Sequence, residues 1–296
     1  MKKQVYSNIM LIVAALIWGS AFVAQRLGVN HLGPFIFNGI RMMIGAVALV
    51  IYIFVRDALI KKRGEGEYGS NRMLVTGGII CGLVLFAASS FQQAGLTMGT
   101  TAGKSGFITA LYIVLVPVLG IFFRKRVHFL VWVAILIAAT GLYFLAVTEE
   151  LTIGVGELLT ICCSVFFAMH ILVVDRFAPH VDGVKLSCIQ FFTVGVLSLA
   201  AGALFEQYNP KAIIDCIGPL LYMGVMSSGI AYTLQILGQK HIQPAAASII
   251  MSLESVFAAL SGWVILGEVL SGPEKFGCVL VFVGVILAQT PERKKI

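Results

Sequence analysis

The chain has 296 residues, of which 59% are hydrophobic and only 12% charged, with a mean hydropathy of +0.96 and a formal charge of +7. A soluble domain carries about one-quarter charged residues, so this composition excludes a water-facing globule. A bundle of helices in lipid remains, because lipid allows a helix to be apolar all round.

A hydrocarbon core roughly 30 Å thick needs about 20 apolar residues per helix. The first segment of that length, Asn8–Gln25, follows Lys2 and Lys3. It reads as a retained helix rather than a cleaved leader, since no small-residue cleavage site is evident and further spans follow at once. After the break His31–Leu32–Gly33–Pro34 comes Pro34–Val55, then a charged, Gly-rich connector at 57–71 that is too short to be a domain. Arg72–Gln93, Ala102–Phe123 and Val127–Val147 complete a first set of five. Gly154–Val174, Val184–Phe205, Asp215–Gly238, Pro244–Leu266 and Gly272–Thr290 form a second, with Pro179, Asn209–Pro210, Gln243–Pro244 and Gly272–Pro273 as punctuation. Six cysteines fall in or at the rim of these spans without metal or disulfide spacing, and are expected to be small buried hydrophobes.

Lys and Arg are retained on the cytoplasmic side. With the N-terminus inside, 16 of the 21 lysines and arginines are cytoplasmic, while Arg26, Lys211 and Lys275 are outside and Arg41 and Lys104 lie within spans. Both termini are therefore expected in the cytoplasm. The positive charge is a topology signal, and no nucleic-acid partner is read from it.

The chain also overlays on itself. With Gly95 over Gly238, no gap is needed to the end of the tenth span: Ala102 meets Ala245, Ser105 meets Ser248, Gly141 meets Gly284, and the hydrophobic blocks coincide. A repeat of five helices must insert the second time in the opposite sense. Inverted halves suit alternating access, because exchanging their conformations changes which side is open.

The run Ala14–Ala15–Leu16–Ile17–Trp18–Gly19–Ser20–Ala21–Phe22, followed by Arg41, resembles the start of an EamA repeat of the drug/metabolite transporter superfamily. Ala102–Gly103–Lys104–Ser105–Gly106–Phe107–Ile108–Thr109 through Val116–Pro117–Val118 fits the pattern of its first half. Ser252–Leu253–Glu254–Ser255–Val256–Phe257–Ala258–Ala259–Leu260, with Gly262–Trp263 and Leu266–Gly267–Glu268, is similar to its second-half signature. The resemblance implies an all-α membrane protein of ten transmembrane helices. These would form two inverted EamA-type repeats, 8–147 and 154–290, around a central cavity in the bacterial inner (cytoplasmic) membrane. It also implies transport of small metabolites, often export. Two departures discourage copying a substrate: Arg124–Lys125–Arg126 stands where many members carry a glutamate, and Ser255 replaces a common proline.

Polar side chains inside apolar spans mark pathways or partnered structural groups. Glu254, near the middle of the ninth span, is either a pathway or proton-carrying carboxylate or a structural one bonded to a neighbouring helix, such as to Ser227 or Ser228. Arg41, about two turns into the second span, faces either an acidic substrate group or an acidic neighbour. Lys104 is a gate or carboxylate contact, or a snorkelling lysine. Trp18 lies mid-span, where it stacks on a ligand or simply packs. Gln92, Gln93, Gln235 and His170 are hydrogen-bonding candidates for a substrate, although amides and imidazoles also bridge helices. Pro117 should kink its helix and free the carbonyl of Ile113.

There is no phosphate-binding loop of Walker type and no His-Glu-x-x-His, so neither ATP drive, enzymatic catalysis nor a cofactor is expected. The resulting expectation is a secondary transporter exporting amino acids or related metabolites, with a small-molecule substrate and the bilayer as partners. A proton carried by Glu254 is one possible drive, and facilitated exchange is the other. The alternatives are a nucleotide- or nucleoside-type exchanger and an intramembrane enzyme or scaffold; the oligomeric state stays open.

Overall fold

The computed structural model describes residues 2–29, 32–63, 71–100, 102–123, 125, 127–146, 153–207, 209–267 and 269–289. Among these, every regular element is helical: α1 Lys2–Val29, α2 Pro34–Arg63, α3 Asn71–Thr97, α4 Ala102–Ala110, α5 Tyr112–Phe122, α6 Phe129–Ala146 and α7 Val155–Phe177. There follow α8 Gly183–Phe205, α9 Pro210–Asp215, α10 Ile217–Leu221, a π-helical stretch Tyr222–Tyr232, α11 Thr233–Gln239, α12 Pro244–Met251, α13 Leu253–Leu266 and α14 Gly272–Ala288. Nine helices among the described residues are long and apolar enough to cross a membrane. Large apolar side chains such as Phe54, Phe122 and Leu204 project outward, each more than three-quarters exposed. In water such a surface would aggregate; in lipid it is the expected exterior. The chain is an integral, multi-pass membrane protein.

Several expected boundaries shift. The first two helices outrun their apolar cores, so the connector 57–71 begins as helix to Arg63, and 64–70 lie outside the described residues. The fourth span is two helices meeting at Leu111, and the ninth is two meeting at Ser252. Pro117 sits inside α5, and the break precedes it. The eighth span is a composite whose middle is eleven residues of π-helix, far longer than the usual single-turn bulge. The tenth expected span, Gly272–Thr290, is the helix α14 of 17 residues, slightly shorter than the nine. Of the cysteines, Cys162 is exposed rather than buried, because its helix turns that face outward. Glu149, Glu150, Arg124, Arg126, Glu268, Arg293, Lys294 and Lys295 lie outside the described residues.

Close packing at glycines decides which helices pair. A Cβ on Gly141 would lie 2.7 Å from the carbonyl oxygen of Gly277, and one on Gly284 would lie 2.9 Å from that of Ala134. The overlay that places Gly95 on Gly238 turns the first of these contacts into the second. In lipid, such small-residue approach is a main source of helix association. The pair α2–α8 is built similarly, Gly195 against Met43 and Gly202 against Ile36. Both its ends are tied. At one end the Glu206 carboxylate accepts from the amides of Phe35 and Ile36, each at 2.8 Å. At the other, Arg56 donates to both oxygens of Asp182, at 3.2 and 2.6 Å. Asp182 also caps α8 by accepting from Val184 and Lys185, and Lys185 pairs with Asp57. Lys125–Asp175 and Lys240 on the carbonyl of Val181 add to this Lys/Arg-rich end of the bundle.

Candidate functional site

Three local features shape the middle of the bundle. Gly19 brings α1 against α13, where any Cβ would stand 2.7 Å from the Glu254 carbonyl oxygen. Gly224 brings the π-helical stretch against α2, its notional Cβ 2.9 Å from the Arg41 carbonyl oxygen. The breaks at Leu111 and Ser252 place Tyr112 and Glu254 in the first turns of α5 and α13.

Between these helices lies a narrow cavity with about 540 Å³ of atom-free space. Trp18, Phe22, Phe167 and Tyr232 form an aromatic wall, with Met223 and Met251; Gln25, Gln92, Thr109, Ser227 and Gln235 add hydrogen-bonding groups. Arg41 and Glu254 also line it. They are 2% and 6% exposed, so bulk water solvates neither.

Their partners matter most. Arg41 Nε donates to Asn38 Oδ1 at 2.8 Å, on its own helix, and Asn38 is held in turn by the carbonyl of Ser89. No ion pair ties Arg41 to an acidic residue among the described residues, contrary to the expectation of an acidic neighbour. Glu254 Oε1 accepts from the hydroxyl of Tyr112 at 3.1 Å, not from Ser227 or Ser228. Ser227 instead lines the cavity, and the buried Ser228 hydroxyl has no partner among the described residues. A guanidinium and a carboxyl group thus line one small cavity with no salt bridge between them among the described residues. Two polar atoms of lining residues, Trp18 Nε1 and Gln235 Oε1, are buried without a partner among the described residues. Buried polar atoms of this kind are ordinarily satisfied, and a ligand in the cavity would supply what they lack.

Of the eight candidate residues singled out from sequence, five meet here: Trp18, Arg41, Gln92, Gln235 and Glu254. Trp18 both packs, edge-on against Tyr232 at 4.8 Å, and faces the cavity. Gln92 links Gln25 and Thr109 across α1, α3 and α4. The other three lie elsewhere. Lys104 pairs with Glu157 of α7 at 3.7 Å. His170 bonds Gln190 of α8 at 3.1 Å and stands edge-on to Tyr232 behind the cavity wall. Gln93, fully buried, does not line the cavity. Tyr112 and Tyr232 were missed. A signal for Tyr112 existed: the self-overlay sets its neighbour Leu111 over Glu254, and hence at the same depth.

A model of the EamA-like transporter family matches residues 5–147 and 154–290. An "Uncharacterized transporter" of Archaeoglobus fulgidus is 29% identical over 291 residues, covering 96% of this chain and 86% of its own. The "Uncharacterized inner membrane transporter YedA" of Escherichia coli K12 is 23% identical over 278 residues, covering 92% and 87%. A solved structure described only as "Crystal structure of protein" shares the fold, with a TM-score of 0.78 at 18% identity and 96% coverage of both chains. The chain belongs to the EamA-like transporter family and is a membrane transporter.

Proposed function

We propose that this EamA-family transporter carries a small zwitterionic metabolite, an amino acid or close relative, outward across the inner membrane by alternating access. One observation carries the substrate class: a buried guanidinium, Arg41, and a buried carboxyl group, Glu254, line one cavity with no salt bridge between them among the described residues. An α-carboxylate on Arg41 and an α-ammonium on Glu254 would neutralise both. Guanidinium suits the planar carboxylate, and the aromatic and methionine wall suits an apolar side chain. The unpaired Trp18 and Gln235 atoms add orientation.

The mechanism rests on ten spans in two halves, 8–147 and 154–290, inserted in opposite senses with the Lys/Arg-rich end cytoplasmic. The exchanged contacts Gly141–Gly277 and Gly284–Ala134 support it, as do the paired breaks in the fourth and ninth spans. Glu254 is the proposed proton carrier: its bond to Tyr112 joins the halves, and an arriving ammonium competes for the same oxygen. Export is taken from the family resemblance.

Counterflow in proteoliposomes tests the reading, with labelled amino acids set against nucleotides. Amino-acid counterflow abolished by Glu254→Gln and Arg41→Met supports it. Nucleotide counterflow, or full pH-dependent amino-acid transport by Glu254→Gln, refutes the substrate or the carrier assignment respectively.

A further inference from the structure

A second cavity, with about 990 Å³ of atom-free space, lies at the Lys/Arg-rich end of the same helices. Val116 in its wall is one turn beyond Tyr112, Gln239 is one turn beyond Gln235, and Asp175 is one turn beyond Ile171; Tyr112, Gln235 and Ile171 line the central cavity. Residues four apart share a helix face. The two cavities are therefore stacked along the same faces of α5, α7 and α11, with Tyr112, Ile171 and Gln235 between them.

The wall of this second cavity holds an unsatisfied group. Gln239 is 1% exposed and donates through Nε2 to the carbonyl of Ile171 at 3.2 Å. Its Oε1 is buried without a partner among the described residues. Ile171 and Asp175 are one turn apart on α7, and Gln239 and Asp175 line the same cavity. Asp175 pairs with Lys125 Nζ at 2.5 Å. One member of that pair follows α5 and the other belongs to α7, so the two charges come from the two proposed halves. An acid and a buried amide oxygen in one cavity wall, with a lysine whose side chain is 49% exposed, complement an ammonium beside a carboxylate.

We propose that the second cavity is a cytoplasmic receiving site for the α-amino-carboxylate head of the substrate. Lys125 takes the carboxylate, and Asp175 with Gln239 Oε1 takes the ammonium, before the substrate passes the Tyr112–Ile171–Gln235 layer. This rests on the zwitterion reading of the central cavity and on the proposed insertion.

The test uses the full chain in inside-out and right-side-out vesicles, with a carbon-14-labelled mixture of the twenty protein amino acids as probe. Asp175→Asn and Gln239→Leu each remove a contact to the ammonium. They should raise the half-saturating concentration at the cytoplasmic face about tenfold, the loss of one charge-assisted hydrogen bond. The extracellular face should stay within about twofold, which also shows that the variants fold. The exchanged pair Lys125→Asp with Asp175→Lys keeps an ion pair but moves the acid away from Gln239, and should remain impaired. Equal shifts at both faces, no shift at the cytoplasmic face, or recovery in the exchanged pair overturns the receiving site. Failure of the central reading looks different: either wild type shows no saturable flux, which overturns the zwitterion assignment of both cavities, or flux is indifferent to Arg41→Met and Glu254→Gln while the face-specific shifts persist.

Discussion

Replacing Arg41 by methionine separates carboxylate recognition from mere support of the cavity. Arg41 is 2% exposed and, among the described residues, hydrogen-bonds only through Nε to Asn38, so its terminal nitrogens are left for the cavity. A net charge-assisted hydrogen bond contributes about 1.5–3 kcal/mol. Losing about 2 kcal/mol weakens binding roughly 30-fold, since about 1.4 kcal/mol corresponds to tenfold. The substitution also strips Asn38 Oδ1 of its donor, at about 1–3 kcal/mol of fold stability, but that cost is common to every ligand. Leucine and its decarboxylated analogue isopentylamine share a side chain and an ammonium group. Their dissociation constants, from ligand-induced thermal stabilisation of purified wild type and variant, give the carboxylate contribution by difference. Leucine should lose about 30-fold and the amine less than about threefold. Arg41→Lys should fall between, because an ammonium cannot hold a carboxylate bidentately. An amine that loses as much as leucine refutes the carboxylate role of Arg41.

Tyr112→Phe removes the hydroxyl that competes with an arriving ammonium for Glu254. Isopentylamine should then bind about threefold or more tightly, from the roughly 0.6–1.5 kcal/mol of an interhelical hydrogen bond in a membrane; unchanged or weaker binding in the same stabilisation assay refutes the competition. At the Lys/Arg-rich end, Asp182→Asn keeps the helix cap but loses the charge facing Arg56, whereas Asp182→Ala loses both. In reversible unfolding by SDS the alanine variant should be less stable than the asparagine variant by about 1 kcal/mol, and equal stability removes the cap from the account. Gly224→Val would force side-chain atoms against Ile44 and the Arg41 carbonyl. It should lower stability by about 1–3 kcal/mol and abolish leucine stabilisation, while Gly218→Ala, with open space beside it, should do neither.

What sequence reveals about this site follows from the cost of each group in lipid. Glu254, Arg41, Gln92 and Gln235 were visible because a charge or amide in an apolar span costs kilocalories unless it faces a cavity or a partner. That rule marks expense but not which remedy is used. Lys104 and His170 are as conspicuous as Arg41, yet packing gives them Glu157 and Gln190. Tyr112 and Tyr232 were hidden for the opposite reason: a tyrosine is cheap in a membrane helix, and only packing decides where its hydroxyl or ring lies. The π-helical stretch was invisible because side-chain periodicity does not record the hydrogen-bond register of the backbone, although it carries Met223, Ser227 and Tyr232 to the cavity. The duplication does reach further than composition. An overlay that equates Leu111 with Glu254 places the residues beside them at one depth on facing helices, and so points to Tyr112 as a neighbour of the carboxylate. In a duplicated membrane chain, the counterpart of an expensive residue is therefore the place to look for its partner, even where the counterpart is itself unremarkable.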